Sequence, residues 1–342
     1  MSTCRLLSVW IAMLASLGCA SSRQPPVQTE PRAQPLFEAM PYDTWRVIGA
    51  PARFSLDAAE GGATVLTGRG PIPSNGFLAS PRSLGDFRLE VDVRLGSADN
   101  PLGDKMNSGI QIRSAEKGGA VGGLQVEVDP SKRSWSGGIY DERGRLWLAP
   151  LDGTDAAGEA ARAAFRRGGW NRYEIECIGP RIRTRVNGVA CAEWYDAVVS
   201  GLLAFQVHGG PSCEVAFRDA RIEELGSHAW RTLASGAGAS SGERCAWSAR
   251  LAPEARGVRV DVVGAGRMAL TATDGAAIVD VSSTAADGGA ARRIEAVWID
   301  GAGAVLIDGR RAARFAASAL PAEARVLGES CTAARSEWLS RD

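Results

Sequence analysis

The stretches Asn107-Ser108-Gly109-Ile110-Gln111-Ile112-Arg113, Gly123-Leu124-Gln125-Val126-Glu127-Val128-Asp129 and Phe205-Gln206-Val207-His208-Gly209-Gly210 decide how this chain folds. In each, apolar and polar residues alternate, the period of a β-strand with one buried face. The polar positions are Gln111 and Arg113 on the first, Gln125, Glu127 and Asp129 on the second, and Gln206 and His208 on the third. A merely solvated face carries mostly Lys, Glu, Thr and Ser. Amides, an arginine, carboxylates and one of the chain's 2 histidines suit a surface that grips hydroxyl groups and moves protons.

Outward from these stretches, residues 43–226 read as β almost throughout. Phe87 to Leu95, Tyr173 to Cys177, Ile182 to Val186 and Val215 to Ile222 all alternate. Asn187-Gly188 is the pair favoured in a two-residue hairpin turn, where both residues need positive φ. Short strands joined by Gly and Asp turns predict an all-β, antiparallel sandwich. The Ala-rich segment Asp155 to Arg167 is the one helix-permissive stretch, expected to cover an edge or an end.

Composition shifts mark the boundaries. Residues 1–19 combine Arg5, a short apolar run and Ser16-Leu17-Gly18-Cys19, which reads as a signal peptide. The end of that run resembles a bacterial lipobox, with Cys19 as the lipidated residue, although Ser16 stands where Leu is usual; ordinary secretion is the alternative. Export to the bacterial cell envelope, as an outer-membrane or periplasmic lipoprotein held to the membrane through Cys19, is the expectation. Residues 20–35, rich in Pro, Gln and Ser, read as a disordered tether, and 227–242 as a linker containing Ser-Gly-Ala-Gly-Ala-Ser-Ser-Gly. Residues 243–342 form a second, smaller β-rich module. Its Arg293 to Arg311 echoes Trp170 to Ala190 as two strands around an Xaa-Gly turn, which suggests a degenerate second sandwich. The module has no counterpart of the Gln/Glu/His strands, so its default role is structural.

Lys+Arg and Asp+Glu both number 39; without a concentrated basic surface no nucleic-acid partner is expected. Of 7 cysteines, Cys177 and Cys191 read as small buried residues, while Cys245 and Cys331 bracket the second module and are candidates for pairing. Asp99, Asn100 and Asp104 raise a structural Ca²⁺ site, but their spacing matches no EF-hand loop. No metal or cofactor is otherwise expected.

Seven motifs in order carry a family resemblance: Asp86-Phe87-Arg88-Leu89-Glu90, Asn107-Ser108-Gly109-Ile110 with Arg113, Gly123 to Asp129, Gly138-Ile139-Tyr140, Trp170-Asn171-Arg172-Tyr173-Glu174-Ile175, Val186-Asn187-Gly188 and Gln206 to Gly210. Residues 36–226 thus resemble the 3-keto-disaccharide hydrolase domain family. The resemblance implies a concanavalin A-like jelly roll and action on sugars oxidised to a ketone at C3. Such a ketone acidifies the C2 hydrogen, so a base removes it, the C1 oxygen leaves, and water addition completes net hydrolysis. The family commonly has Glu at the third position of the Gly123 strand, where this chain has Gln125. It usually opens with Asn-Gly-Lys-Asp, where Glu38-Ala39-Met40-Pro41 stands here.

Glu127 or His208 is the candidate base and Arg113 the holder of the developing oxyanion. Gln111, Gln125, Asp129 and Gln206 are candidates for binding sugar hydroxyls. Trp135, Tyr140 and Trp147 follow the Asp129 strand and offer flat apolar faces to sugar rings. The bland alternatives are an Arg113 ion pair with Glu127 or Asp129 across a solvated sheet, and a His208 that caps a strand end. His228, in the connector, reads as structural or exposed. The carboxylate pattern Glu-x-Asp-x-x-Glu of laminarinase-like enzymes is absent, since Glu127-Val128-Asp129 runs into Pro130-Ser131. A saccharide-cleaving hydrolase is the first expectation; a non-catalytic carbohydrate-binding envelope lipoprotein is the second.

Overall fold

The alternating stretches build two antiparallel sheets packed face to face in a jelly roll. The computed structural model describes residues 32–58, 63–97, 106–233, 245–272, 274–283, 290–316, 319–327 and 332–342. One sheet has seven strands in the order Leu146–Ala149, Ile139–Glu142, Ala120–Val128, Ser108–Lys117, Leu202–Val207, Gly76–Ala79 and Arg46–Gly49. The other runs Val189–Tyr195, Arg181–Val186, Asn171–Ile178, Asp86–Leu95, Glu214–Gly226, Thr64–Arg69 and Arg53–Ala58, with Gln34–Pro35 also pairing with Glu214–Gly226. Phe87, Leu89, Val91 and Val93 of the central strand share the core with Ile110, Ile112, Val126, Phe205 and Val207. Each such side chain contributes roughly 1.5–3 kcal/mol on full burial, and a one-residue slip would turn the whole set outward. This burial fixes which face of the seven-stranded sheet is left for a ligand.

The Ala-rich segment forms a helix over Ala156–Ala163, capped by Asp155 Oδ1, which accepts from Gly158 N at 2.8 Å. It packs beside the edge strand Val189–Tyr195. Two boundaries drawn from composition move. Gln34 and Pro35 pair with Ile222 and Arg221, so the tether ends inside a sheet. His228–Thr232 pairs with Thr332–Arg341, so the linker begins with a strand of the second module.

That module has a six-stranded sheet, ordered His228–Thr232, Thr332–Arg341, Gly257–Val263, Ala291–Ile299, Ala302–Ile307 and Arg310–Ala316. A four-stranded sheet orders Cys245–Arg250, Glu323–Leu327, Gly266–Thr271 and Ala277–Ser283. Trp247, Val260, Met268, Leu270, Trp298 and Val326 fill the core of this second sandwich. The two sandwiches share one turn device. Asn187 N donates to Arg172 O at 2.8 Å and Arg172 N to Asn187 Oδ1 at 2.9 Å. In the second, Asp308 N donates to Arg293 O at 2.8 Å and Arg293 N to Asp308 Oδ1 at 2.9 Å. The same arginines lie opposite an aspartate on the next strand, Arg172 against Asp92 and Arg293 against Asp261. Val297, Ile299, Ala304 and Leu306, on two strands of the six-stranded sheet, belong to the first sandwich's core cluster, so that sheet packs against the first sandwich, while the second sandwich keeps a core of its own.

Cys177, Cys191 and Cys213 are free thiols, and burial pushes Cys177 up to about 12. Cys331, together with Cys19 and the Asp99, Asn100 and Asp104 group, lies outside the described residues, and the side chain of Cys245 is likewise undescribed. No described helix is long and apolar enough to cross a membrane.

Candidate active site

Strand register assembles one row of side chains on the open face of the seven-stranded sheet. Ala204 lies opposite Gln111, Gln111 opposite Gln125, Gln125 opposite Tyr140, and Tyr140 opposite Trp147. Two residues along, Gln206 pairs with Phe77 and Glu127 with Gly109. Between Gln206 and Glu127 only Gly109 intervenes on its strand, and Gln125 fills the space it leaves: a Cβ on Gly109 would stand 2.3 Å from Gln125 Cδ.

The result is a recess of about 300 Å³. Gln125, Glu127 and Gln206 line it from the central strands, Tyr140, Glu142 and Trp147 from the edge hairpin, and Asn75, Asn107, Arg133 and His208 from the flanking loops. A relay of buried amides leads to the carboxylate. Ser114 Oγ donates to Gln111 Oε1 at 2.7 Å, Gln111 Nε2 to Gln125 Oε1 at 2.5 Å, and Gln125 Nε2 to Glu127 Oε1 at 2.5 Å. Glu127 is 4 % exposed, and burial pushes its carboxyl up to about 8. The Gln125 bond opposes the rise, Asp129 and Glu142 add to it, and Arg133 opposes it again. Such a carboxyl serves proton transfer near neutral pH. Burial also raises Glu142, against the Asn75 hydrogen bond and nearby His208; Asn75 Nδ2 donates to Glu142 Oε1 at 3.3 Å. Among the described residues, Gln206 Oε1 and Asn107 Oδ1 are buried acceptors with no hydrogen-bond partner. Unsatisfied buried acceptors are costly, and two facing one recess suit a hydroxylated ligand.

A larger groove of about 1080 Å³ adjoins the recess and shares Asn75, Glu142 and His208 with it. Pro71 to Ser74, Gly118-Gly119, Gly209 to Pro211 and Phe77 are among the residues that line it.

Of the residues singled out in the sequence, Glu127, His208, Gln125 and Gln206 from the alternating strands and the aromatics Tyr140 and Trp147 come together. Gln111 stands behind Gln125 in the relay, fully buried. Asp129 is buried as well: its Oδ2 accepts from Arg133 Nε at 2.9 Å, so it positions that arginine. Arg113 is the clear departure. The strand is bulged between Ile112 and Ala115, and Arg113 has φ 47°, which interrupts the alternation and turns the side chain off the shared face. Its guanidinium, fully buried, donates to Gly179 O at 2.6 Å and to Asp86 Oδ1 at 3.3 Å. It therefore neither holds an oxyanion in the recess nor pairs with Glu127 or Asp129. Asp86 Oδ2 also bonds His228 Nδ1 at 2.8 Å, which makes His228 a buried structural residue.

The cation of the recess is Arg133, 5.0 Å above the rings of both Trp135 and Trp147. Those rings are T-shaped to each other with centroids 4.7 Å apart, and Tyr140 lies 5.2 Å from Trp147. Alternation did carry a signal for Glu142, two residues after Tyr140 on the same strand face. Nothing local marked Asn75 or Arg133, which arrive on loops.

Similar solved structures include the carbohydrate-binding module CBM66 from Bacillus subtilis, 16% identical, covering 53% of this chain and 96% of that one with a TM-score of 0.37. A putative glycosyl hydrolase from Parabacteroides distasonis is 16% identical, with 57% and 100% coverage and a TM-score of 0.36. A β-glucanase from Bacillus licheniformis is 12% identical, with 58% and 99% coverage and a TM-score of 0.34. No curated protein matches the chain in sequence. The model of the 3-keto-alpha-glucoside-1,2-lyase-like domain matches residues 32–223, more than half of the 342; the chain belongs to that family, and its function is saccharide-related.

Proposed function

We propose that this protein cleaves 3-keto-α-glucosides by eliminating the C1 substituent across the C1–C2 bond. The observation that carries the proposal is Glu127, a buried carboxyl raised to about 8, set among sugar-suited amides. In its ionised form Glu127 takes the C2 proton. The C–H electrons move toward the C3 ketone, and Arg133 stabilises the enolate oxygen. As the enolate collapses, the C1–O bond breaks and the leaving oxygen takes a proton from His208 or Glu142. The product is a 1,2-unsaturated ketosugar, and water addition at C1 gives the net hydrolysis product. Gln206 and Asn107 bind ring hydroxyls, and the leaving portion lies in the adjoining groove, where His208 and Glu142 stand at the boundary.

The test is incubation of purified protein with 3-keto-trehalose or 3-keto-sucrose, following released ketosugar. Wild type should turn over, and Glu127→Gln should lose at least a hundredfold, a general-base contribution. Saccharide binding without turnover by wild type would refute catalysis. It would favour a non-catalytic carbohydrate-binding protein, a reading supported by Gln125 standing where the family commonly has Glu. We also propose export with lipid attachment at Cys19; the mass of the mature N-terminal peptide from cell envelopes tests it.

A further inference from the structure

We infer that Arg145 is a positioning residue through which the second sandwich sets the shape of the recess; the functional part of this inference rests on reading that recess as the saccharide site. The hairpin Ile139–Glu142 and Leu146–Ala149 is the outer edge of the seven-stranded sheet, and it alone brings Tyr140, Glu142 and Trp147 to the recess. An edge hairpin has no strand beyond it to fix its twist. Its turn is conformationally costly: Arg143 has φ 57° and Leu146 φ 69°, left-handed values that side-chain-bearing residues rarely adopt. Gly144 is needed there, since a Cβ would stand 2.3 Å from Asp141 Oδ1.

Arg145 holds this turn from three directions. Nε donates to Asp141 Oδ2 at 2.5 Å, on the hairpin itself. One terminal nitrogen, Nη2, lies 2.9 Å from Asp196 Oδ2, beyond the edge strand of the other sheet. The other, Nη1, donates to Gly309 O at 2.6 Å, in the Asp308-Gly309 turn of the second sandwich. The planar fork of arginine is suited to such divergent anchoring, and lysine is not. Asp141 and Asp196 are both nearly fully buried, so Arg145 is also the charge that allows them to stay there. Gly309 O is a fixed bearing because the second sandwich is tied down elsewhere. Arg181 Nη1 bonds Asp300 Oδ2 at 2.9 Å, Arg314 Nη2 donates to Glu193 O at 2.8 Å, and Val297, Ile299, Ala304 and Leu306 pack into the first sandwich's core. The second sandwich, which carries no recess residue, thereby acts on the recess through one side chain.

The test compares full-length Arg145→Met, Arg145→Lys and Gly309→Ala with wild type by amide hydrogen exchange and by titration with 3-keto-trehalose. A Cβ on Gly309 would stand 3.1 Å from Arg145 Cδ and Nη1, so that variant disturbs the anchor from the second sandwich's side. The expected result is exchange accelerated at least tenfold across residues 139–149 in Arg145→Met. The strands Asp86–Leu95 and Gly257–Val263 should keep their protection. Gly309→Ala should give a smaller change in the same segment, Arg145→Lys should restore part of the protection, and saccharide affinity should fall in the same order. Unchanged exchange at 139–149 in Arg145→Met or in Gly309→Ala, or loss of protection spread over both sandwiches, overturns the inference. The exchange result decides the positioning role even if no saccharide binds; absent binding or turnover by wild type counts against the proposed function alone.

Discussion

Replacing Glu127 by Gln separates what this carboxyl costs the fold from what it does in the reaction. Its folded value of about 8 stands well above the ordinary 4.5, chiefly through burial. The folded chain therefore keeps a proton through pH 4.5 to 8 that the unfolded chain has already lost. With more protons on the folded side, stability falls as pH rises through that window. Below it both states are protonated and nothing is lost; above it the loss is complete. At about 1.36 kcal/mol per pH unit the full effect is roughly 5 kcal/mol, an upper figure because relaxation and water entry soften buried charges. Gln has nearly the shape of the protonated acid and keeps an Oε1 to accept the Gln125 bond. Denaturant unfolding of wild type and Glu127→Gln from pH 4.5 to 9 gives the assay, and the difference between them cancels other titrating groups, including Glu295, which burial raises to about 7. The two proteins should agree near pH 4.5, and the variant should be more stable by about 2–5 kcal/mol at pH 9. A difference that stays flat with pH would refute the reasoning. If Glu127 is the base, kcat/KM on a 3-keto-glycoside should climb about tenfold per pH unit and level off near pH 8, the region where stability is lowest. One residue would then trade stability for proton transfer.

Arg113→Met should cost roughly 3–5 kcal/mol in thermal or denaturant unfolding, because it leaves Asp86 buried without its arginine, while the folded protein's saccharide affinity changes less than twofold. Gly109→Ala should cost about 1–3 kcal/mol by overpacking and cut turnover at least tenfold, since the new Cβ displaces Gln125 from Glu127; a crystal structure with Gln125 unmoved would contradict this. Gln206→Leu should leave stability unchanged or slightly raised, because it removes an acceptor that is buried and unpartnered among the described residues. The same variant should weaken 3-keto-trehalose binding about tenfold by calorimetry, the cost of one or two hydrogen bonds.

Much of this protein was legible from local pattern. Alternation in the Gln111, Gln125 and Gln206 strands reports burial on one face, because a strand's side chains alternate whatever it pairs with. That was enough for the sandwich, for the polar face and for Glu127, His208 and the amides as its members. Asn187-Gly188 marked its own turn because few pairs tolerate positive φ twice, and the echo at Asp308-Gly309 is the same device. Only the tertiary structure decided what lies beyond that period. A bulge after Ile112 removed Arg113 from the face, and a pattern of period two cannot anticipate one extra residue. Arg133, Asn75 and the Arg145 anchor depend on which loops meet. The last joins residues 164 apart in sequence, and such a meeting is set by the packing of two sheets and two sandwiches rather than by anything written near either residue.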